Sequence, residues 1–224
     1  QVNSDLERVL AERSGDLTAV RKGLLFGIAR IVESRIQRSS GHMTRMPRYV
    51  RELAAAARAV PSFAQALSDA FIGMLESCAS LHDIGNVAMP DHILCGGTDL
   101  DVEDRIVMHA HTTIGAETLA GVAKTDRGAA VFWQMVIDIT RHHHERFDGT
   151  GYPLAARIVA LADVYDRLRT GCEMGNALSQ NAAVEMIVHG SPGRFDPTLV
   201  RVFQEVAERF DEIYRAYPER DHEA

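Results

Sequence analysis

Apolar residues recur along this chain at intervals of three and four with charged residues between them, the pattern of helices that each bury one stripe. Leu6, Val9, Leu10, Arg13 and Leu17 have helical spacing in a charged setting without a start signal of their own, which reads as a linker helix. From Leu24 a second stripe carries Leu25, Ile28, Ile31 and Val32, and a third carries Met43, Met46, Val50, Leu53 and Ala57, with Ser39, Ser40 and Gly41 between them. Pro61 suits the first turn of a helix whose stripe Phe71, Met74, Leu75, Cys78 and Leu81 runs into His82, with Gly85 as its stop.

Asn86 to Asp99 reads as a loop, and Asp101 with Asp104 is placed to cap a helix bearing Val107, His111, Ile114 and Thr118. Ala130, Trp133, Ile137 and Thr140 lead to a histidine cluster, and Asp148, Gly149, Gly151 and Pro153 then read as turn residues. Ile158, Leu161, Ala162, Tyr165 and Leu168 resume the helical spacing, and a last helix with Leu199, Val202, Phe203, Val206, Phe210 and Ile213 follows Pro197. No stretch alternates as a strand does, so the expected class is all-α. The expected organisation is a linker helix over 1–22 and one domain over 23–224.

Composition narrows the partners. A chain of 224 residues with 46% hydrophobic content can build one large core. A net charge of −7 and a pI near 5.8 argue against a surface that grips polymeric nucleic acid, and leave room for a small phosphorylated ligand held locally. Cys78, Cys95 and Cys172 show neither a disulfide framework nor thiolate zinc spacing, which suits a reduced, cytoplasmic setting. No apolar run reaches the length of a membrane helix, so no membrane association is expected.

The chemistry lies in histidines and carboxylates. His82 and Asp83 are adjacent where an apolar stretch ends, and His142, His143 and His144 end another. Imidazole suits divalent iron, manganese, zinc or nickel, and a carboxylate has two oxygens with which to bridge two ions. Paired ions are machinery for phosphate-ester hydrolysis. Helix ends and inward faces supply His42, His82, Asp83, His111, His143, His144 and Asp163 as candidate ligands. Singly, His111 also reads as a core histidine, the 142–144 cluster as a solvated helix end, and Asp163 as a cap or surface charge. Seven donors together exceed what one tetrahedral structural zinc needs.

The segments His82-Asp83-Ile84-Gly85 and His143-His144-Glu145-Arg146-Phe147-Asp148-Gly149-Thr150-Gly151-Tyr152-Pro153 resemble the HD-GYP family of bacterial cyclic di-GMP phosphodiesterases. The resemblance extends from about residue 24 through His42-Met43-Thr44-Arg45, Met108 to Gly115 and Ala162-Asp163-Val164-Tyr165-Asp166 to Phe195-Asp196-Pro197. It implies an HD-domain helical bundle with additional C-terminal helices and a centre of iron or manganese, with nickel or zinc also accepted. All seven candidates fall on its ligand positions, with His82 and Asp83 catalytic and Asp83 bridging. A hydroxide at the ion pair would open cyclic di-GMP, or a related cyclic dinucleotide, to pGpG and on to GMP.

The resemblance also implies substrate contacts from Arg45, Asn86, Asp148, Gly151, Tyr152 and Arg167. Asn86 stands where the family often has a phosphate-binding lysine, and Arg38 where three-ion members carry a glutamate, so two ions are expected. The stretch around Cys172 departs from the family's basic nucleotide-contacting segment. Reduced activity, or a sensor or interaction module of the same fold, is the alternative reading. Pro153 runs directly into Leu154 where the family has a further glycine-containing stretch, and an unresolved loop between them is expected. The first helix resembles the connector from a receiver domain in response regulators. GGDEF-type proteins are further expected partners. Its heptad-like spacing suits a homodimer, and an exposed surface helix equally.

Overall fold

The structure, a computed structural model, describes residues 15, 19–20, 23–35, 41–94, 100–147, 152–171, 176–190 and 192–218. Among them every regular element is helical, as the periodicity requires. The helices are α1 (residues 23–34), α2 (His42–Ala57), α3 (Pro61–Ala64), α4 (Asp69–Cys78), α5 (Asp91–Leu94), α6 (Val102–Ala123), α7 (Ala130–His142), α8 (Leu154–Thr170), α9 (Gln180–Val188) and α10 (Pro197–Ala216). Among the described residues, the 3₁₀ segments Ala79–Leu81, Ile84–Ala88 and Arg127–Ala129 tighten the connections.

Helix α2 is the centre. Met46, Tyr49, Val50, Leu53, Ala54 and Ala57, spaced by three and four, are fully buried among α4, α8 and α10. An aromatic cluster ties three of these helices together: Tyr49 stacks on Phe210 with centroids 4.7 Å apart, and Tyr165 meets Phe210 edge-on at 5.1 Å. Helices α6 and α7 pack as a second pair, and the Ile84–Ala88 turn lies along α6. There Gly85 and Gly115 approach so closely that a Cβ on Gly85 would stand 1.9 Å from the His111 carbonyl oxygen. Gly85 is therefore required by contact, not as a helix stop, since it lies inside a 3₁₀ turn.

The expected helix from Pro61 to His82 is divided. Pro61 starts a single turn, and Ser68 begins α4 by accepting a hydrogen bond from the Phe71 N–H at 3.2 Å. Asp101 caps α6 through the Asp104 N–H, as expected. The loop expected after Asn86 contains α5, and α9, which the stripes did not predict, is capped by Ser179. The expectation of a missing loop after Pro153 fails: Pro153 is the cap residue of α8, and its carbonyl accepts the Arg157 N–H at 3.1 Å. Nearly all of 1–22, with Arg38, Asp148, Gly151 and Cys172, lies outside the described residues.

Candidate metal centre

Each candidate ligand is delivered by a different local feature. His42 is the first residue of α2, His111 is central in α6, Asp163 is central in α8, and His143 and His144 follow the end of α7. His82 and Asp83 occupy the turn between two 3₁₀ segments, a bend that aims adjacent side chains into one space.

These residues assemble into two groups. The ligand atoms of Asp83, His111, His143 and His144 all lie within 4.8 Å of one another, and so do those of His42, His82 and Asp163. Asp83 joins the groups. Its Oδ1 is 3.2 Å from His111 Nε2 and 3.3 Å from His143 Nε2, while its Oδ2 is 3.5 Å from His82 Nε2. Asp163 Oδ1 closes the second group at 3.6 Å from His82 Nε2 and 4.0 Å from His42 Nε2.

The hydrogen bonds behind the rings fix their tautomers. His82 Nδ1–H donates to the Ala79 carbonyl at 2.8 Å, His111 Nδ1–H to Met108, and His143 Nδ1–H to Ile139 and Thr140. His42 Nδ1–H donates to Asp166 Oδ2 at 2.8 Å. A carbonyl or carboxylate can only accept, so in each neutral ring the proton sits on Nδ1 and the Nε2 lone pair points into the centre. The Nε2 atoms of His42 and His82 are buried with no hydrogen-bond partner, which is how imidazoles are set to bind cations.

The electrostatics agree. Burial lowers the His82 pKa, but the negative charges of Asp83 and Asp163 beside it outweigh this and push the value up to about 10. The two carboxylates thus create a demand for positive charge at that nitrogen. His143 and His144 are lowered, chiefly by burial and His144 the more, which keeps their lone pairs available at neutral pH. The donor set, five imidazoles and two carboxylates, fits divalent iron, manganese, nickel or zinc.

Two expected substrate contacts are displaced. Arg45 is completely buried: its Nε and Nη2 donate to Asp166 at 2.6 and 2.9 Å, and its Nη1 donates to the Tyr217 carbonyl at 2.8 Å. It orients Asp166, and through it His42, and cannot meet a substrate phosphate. Asn86 is also fully buried, with neither amide atom hydrogen-bonded. Arg167 stays near the centre, its Nη1 3.5 Å from Asp163 Oδ2 and its side chain 21% exposed. Tyr152 is buried, and its carbonyl accepts from Arg157 Nε at 2.6 Å. Sequence reading missed two residues. Asp166 holds His42, and His109 presents an exposed ring edge-on to His144 at 5.4 Å between centroids. The i, i+3 pairing of Asp163 with Asp166, set among Ile158, Leu161, Ala162, Tyr165 and Leu168, was the available signal for the first.

The HD domain family model matches residues 28–199. The chain is 35% identical over 210 residues to a cyclic di-GMP phosphodiesterase of Vibrio cholerae, a match covering 90% of this chain and 42% of that protein. It is 28% identical over 213 residues to 3′3′-cGAMP-specific phosphodiesterase 2 of the same organism, covering 91% of this chain and 38% of that protein. Against the cyclic di-GMP phosphodiesterase response regulator RpfG of Xanthomonas campestris it is 36% identical over 143 residues, 60% of this chain and 36% of that protein. The chain spans about two fifths of the length of these curated relatives.

Proposed function

Because the chain belongs to the HD domain family, in its HD-GYP form, we propose that it is a metal-dependent phosphodiesterase acting on a cyclic dinucleotide, cyclic di-GMP first, to give pGpG or GMP. The observation that carries this reading is Asp83, with one carboxylate oxygen toward each of two ligand groups. Two bound divalent ions, iron or manganese, supply Lewis acidity at the phosphodiester and activate water at neutral pH.

The chain's own residues do the rest. Asp83 holds the two ligand groups in register, and the backbone carbonyls of Ala79, Met108, Ile139 and Thr140 keep the imidazoles from turning. Arg167, beside Asp163, places a cation for a phosphate oxygen, and His109 stands at the rim as a donor to the nucleotide. We further infer a receiver domain before this chain in the parent protein, in keeping with the response-regulator relative.

The test is hydrolysis of cyclic di-GMP and 3′3′-cGAMP by protein loaded anaerobically with Fe²⁺ or Mn²⁺, beside Asp83→Ala, with metal content quantified. The expected result is turnover with about two ions per chain, cyclic di-GMP faster, and none in the variant. Burial of Arg45 and Asn86 supports a second reading, a cyclic-dinucleotide sensor with vestigial turnover. Full loading without turnover of either dinucleotide, but with binding, selects it.

A further inference from the structure

The five imidazoles of the centre are not held alike. His42, His82, His111 and His143 are at most 4% exposed, and each donates Nδ1–H to an oxygen behind its ring. His144 is only half-buried and makes no hydrogen bond among the described residues. One residue of chain is the cause. His143 closes α7, and its ring folds back on the carbonyls of Ile139 and Thr140, which the helix end leaves open. His144 stands in the turn beyond, where the chain has left the helix.

Contacts between rings steady His144 instead. His143 lies 4.2 Å from it between centroids, His111 5.1 Å, and His109 meets it edge-on at 5.4 Å. The first two are themselves candidate ligands, so His109 is the support that comes from outside the donor set. Edge-on ring pairs contribute about 0.5–1.5 kcal/mol, enough to favour one orientation but not to lock it.

Asp83, His111, His143 and His144 offer one ion four protein donors, where catalytic zinc sites usually keep three and leave a position for the substrate. A ring without an outer hydrogen bond also keeps its rotation and both tautomers until it binds, and such outer partners are worth roughly 10–100-fold in metal affinity. We infer that His144 is the exchangeable ligand of this centre. Its neutral ring gives up its place to an oxygen of the arriving phosphodiester and takes it back when the product leaves, while Asp83, His111 and His143 stay. His109 is the positioning residue that guides the ring back. The inference rests on the two-ion reading given above.

The test is metal binding by the whole chain, read by competition with a chelator, an assay that needs no turnover and so stands apart from hydrolysis of any dinucleotide. His143→Ala should weaken binding by more than about 100-fold and His144→Ala by less than about tenfold. Equal losses overturn the exchange. A wild type that takes up no metal overturns the centre itself, before any variant is compared. Should His143→Ala fail to fold, ¹⁵N NMR of the histidine rings in the zinc-loaded wild type decides. His144 should populate a metal-bound and a free state, the free one growing on addition of inorganic phosphate, with the other four rings bound throughout. His109→Ala should enlarge that free population and His109→Phe restore it, a response that a merely structural role would not give. Five rings bound alike, or no response to phosphate, refutes the proposal.

Discussion

Asp166 shows how much of the centre depends on a residue that never meets an ion. It accepts from His42 on one oxygen and from Arg45 on both, all buried. Asp166→Asn leaves the Arg45 charge without its counterion and should cost about 3–5 kcal/mol, read from thermal or denaturant unfolding. Metal affinity should fall by roughly 10–100-fold in the same variant, read by metal titration, because His42 loses its orienting partner. Burial raises the Asp166 pKa, but the hydrogen bonds and charges of His42 and Arg45 bring it below the ordinary carboxylate value. With the folded value depressed, this stabilisation is complete above the unfolded pKa of about 4 and is lost as pH falls through the folded one. The stability gap between wild type and variant should therefore narrow in acid below about pH 4, and a gap that stays constant refutes the linkage. The ligand candidates were legible only as a set, since each alone reads as a core histidine, a solvated helix end or a cap, whereas seven donors together exceed what one structural zinc needs. The clamp was not, because nothing local in the chain announces that residues 121 positions apart pair.

At the scale of elements, the contact of Gly85 with α6 sets the distance between the His82–Asp83 turn and His111. A Cβ at Gly85 also comes within 2.9 Å of Gly115 N, and all the atoms it meets are backbone. Gly85→Ala should destabilise by about 3 kcal/mol or more and reduce bound metal, since relief requires moving the turn away from the helix. Ser68→Ala removes only the α4 cap, about 1 kcal/mol, and should leave metal content unchanged; chemical denaturation with metal analysis separates the two. Long stripes announced α2, α7, α8 and α10, whose buried faces are wide. The short α9 escaped notice because only Ala183 and Ile187 are buried on it, too few to make a period. The division after Pro61 was hidden because one apolar stripe continues across both helices.

Over the whole molecule, the donors of the two groups come from α2, the His82–Asp83 turn, α6, α8 and the residues after α7, so bound ions add a further tie between these elements. Chelation should lower the melting temperature by several degrees, with about 2.7 kcal/mol lost per independent site when free metal had stood at a hundredfold excess over its Kd. An unchanged melt after verified removal would mean that the ions contribute nothing to folding. The all-helical class could be read from periodicity alone, whereas the order in which helices pack could not, because any two apolar stripes fit each other in outline. Arg45, held at its far end by the Tyr217 carbonyl, places this wiring in time as well as space. Synthesis delivers every ligand by Asp163 and the turn at Tyr217 more than fifty residues later. A nascent chain that has just passed Asp166 owns every donor and the His42–Asp166 pair, but not yet the carbonyl that steadies the far end of Arg45.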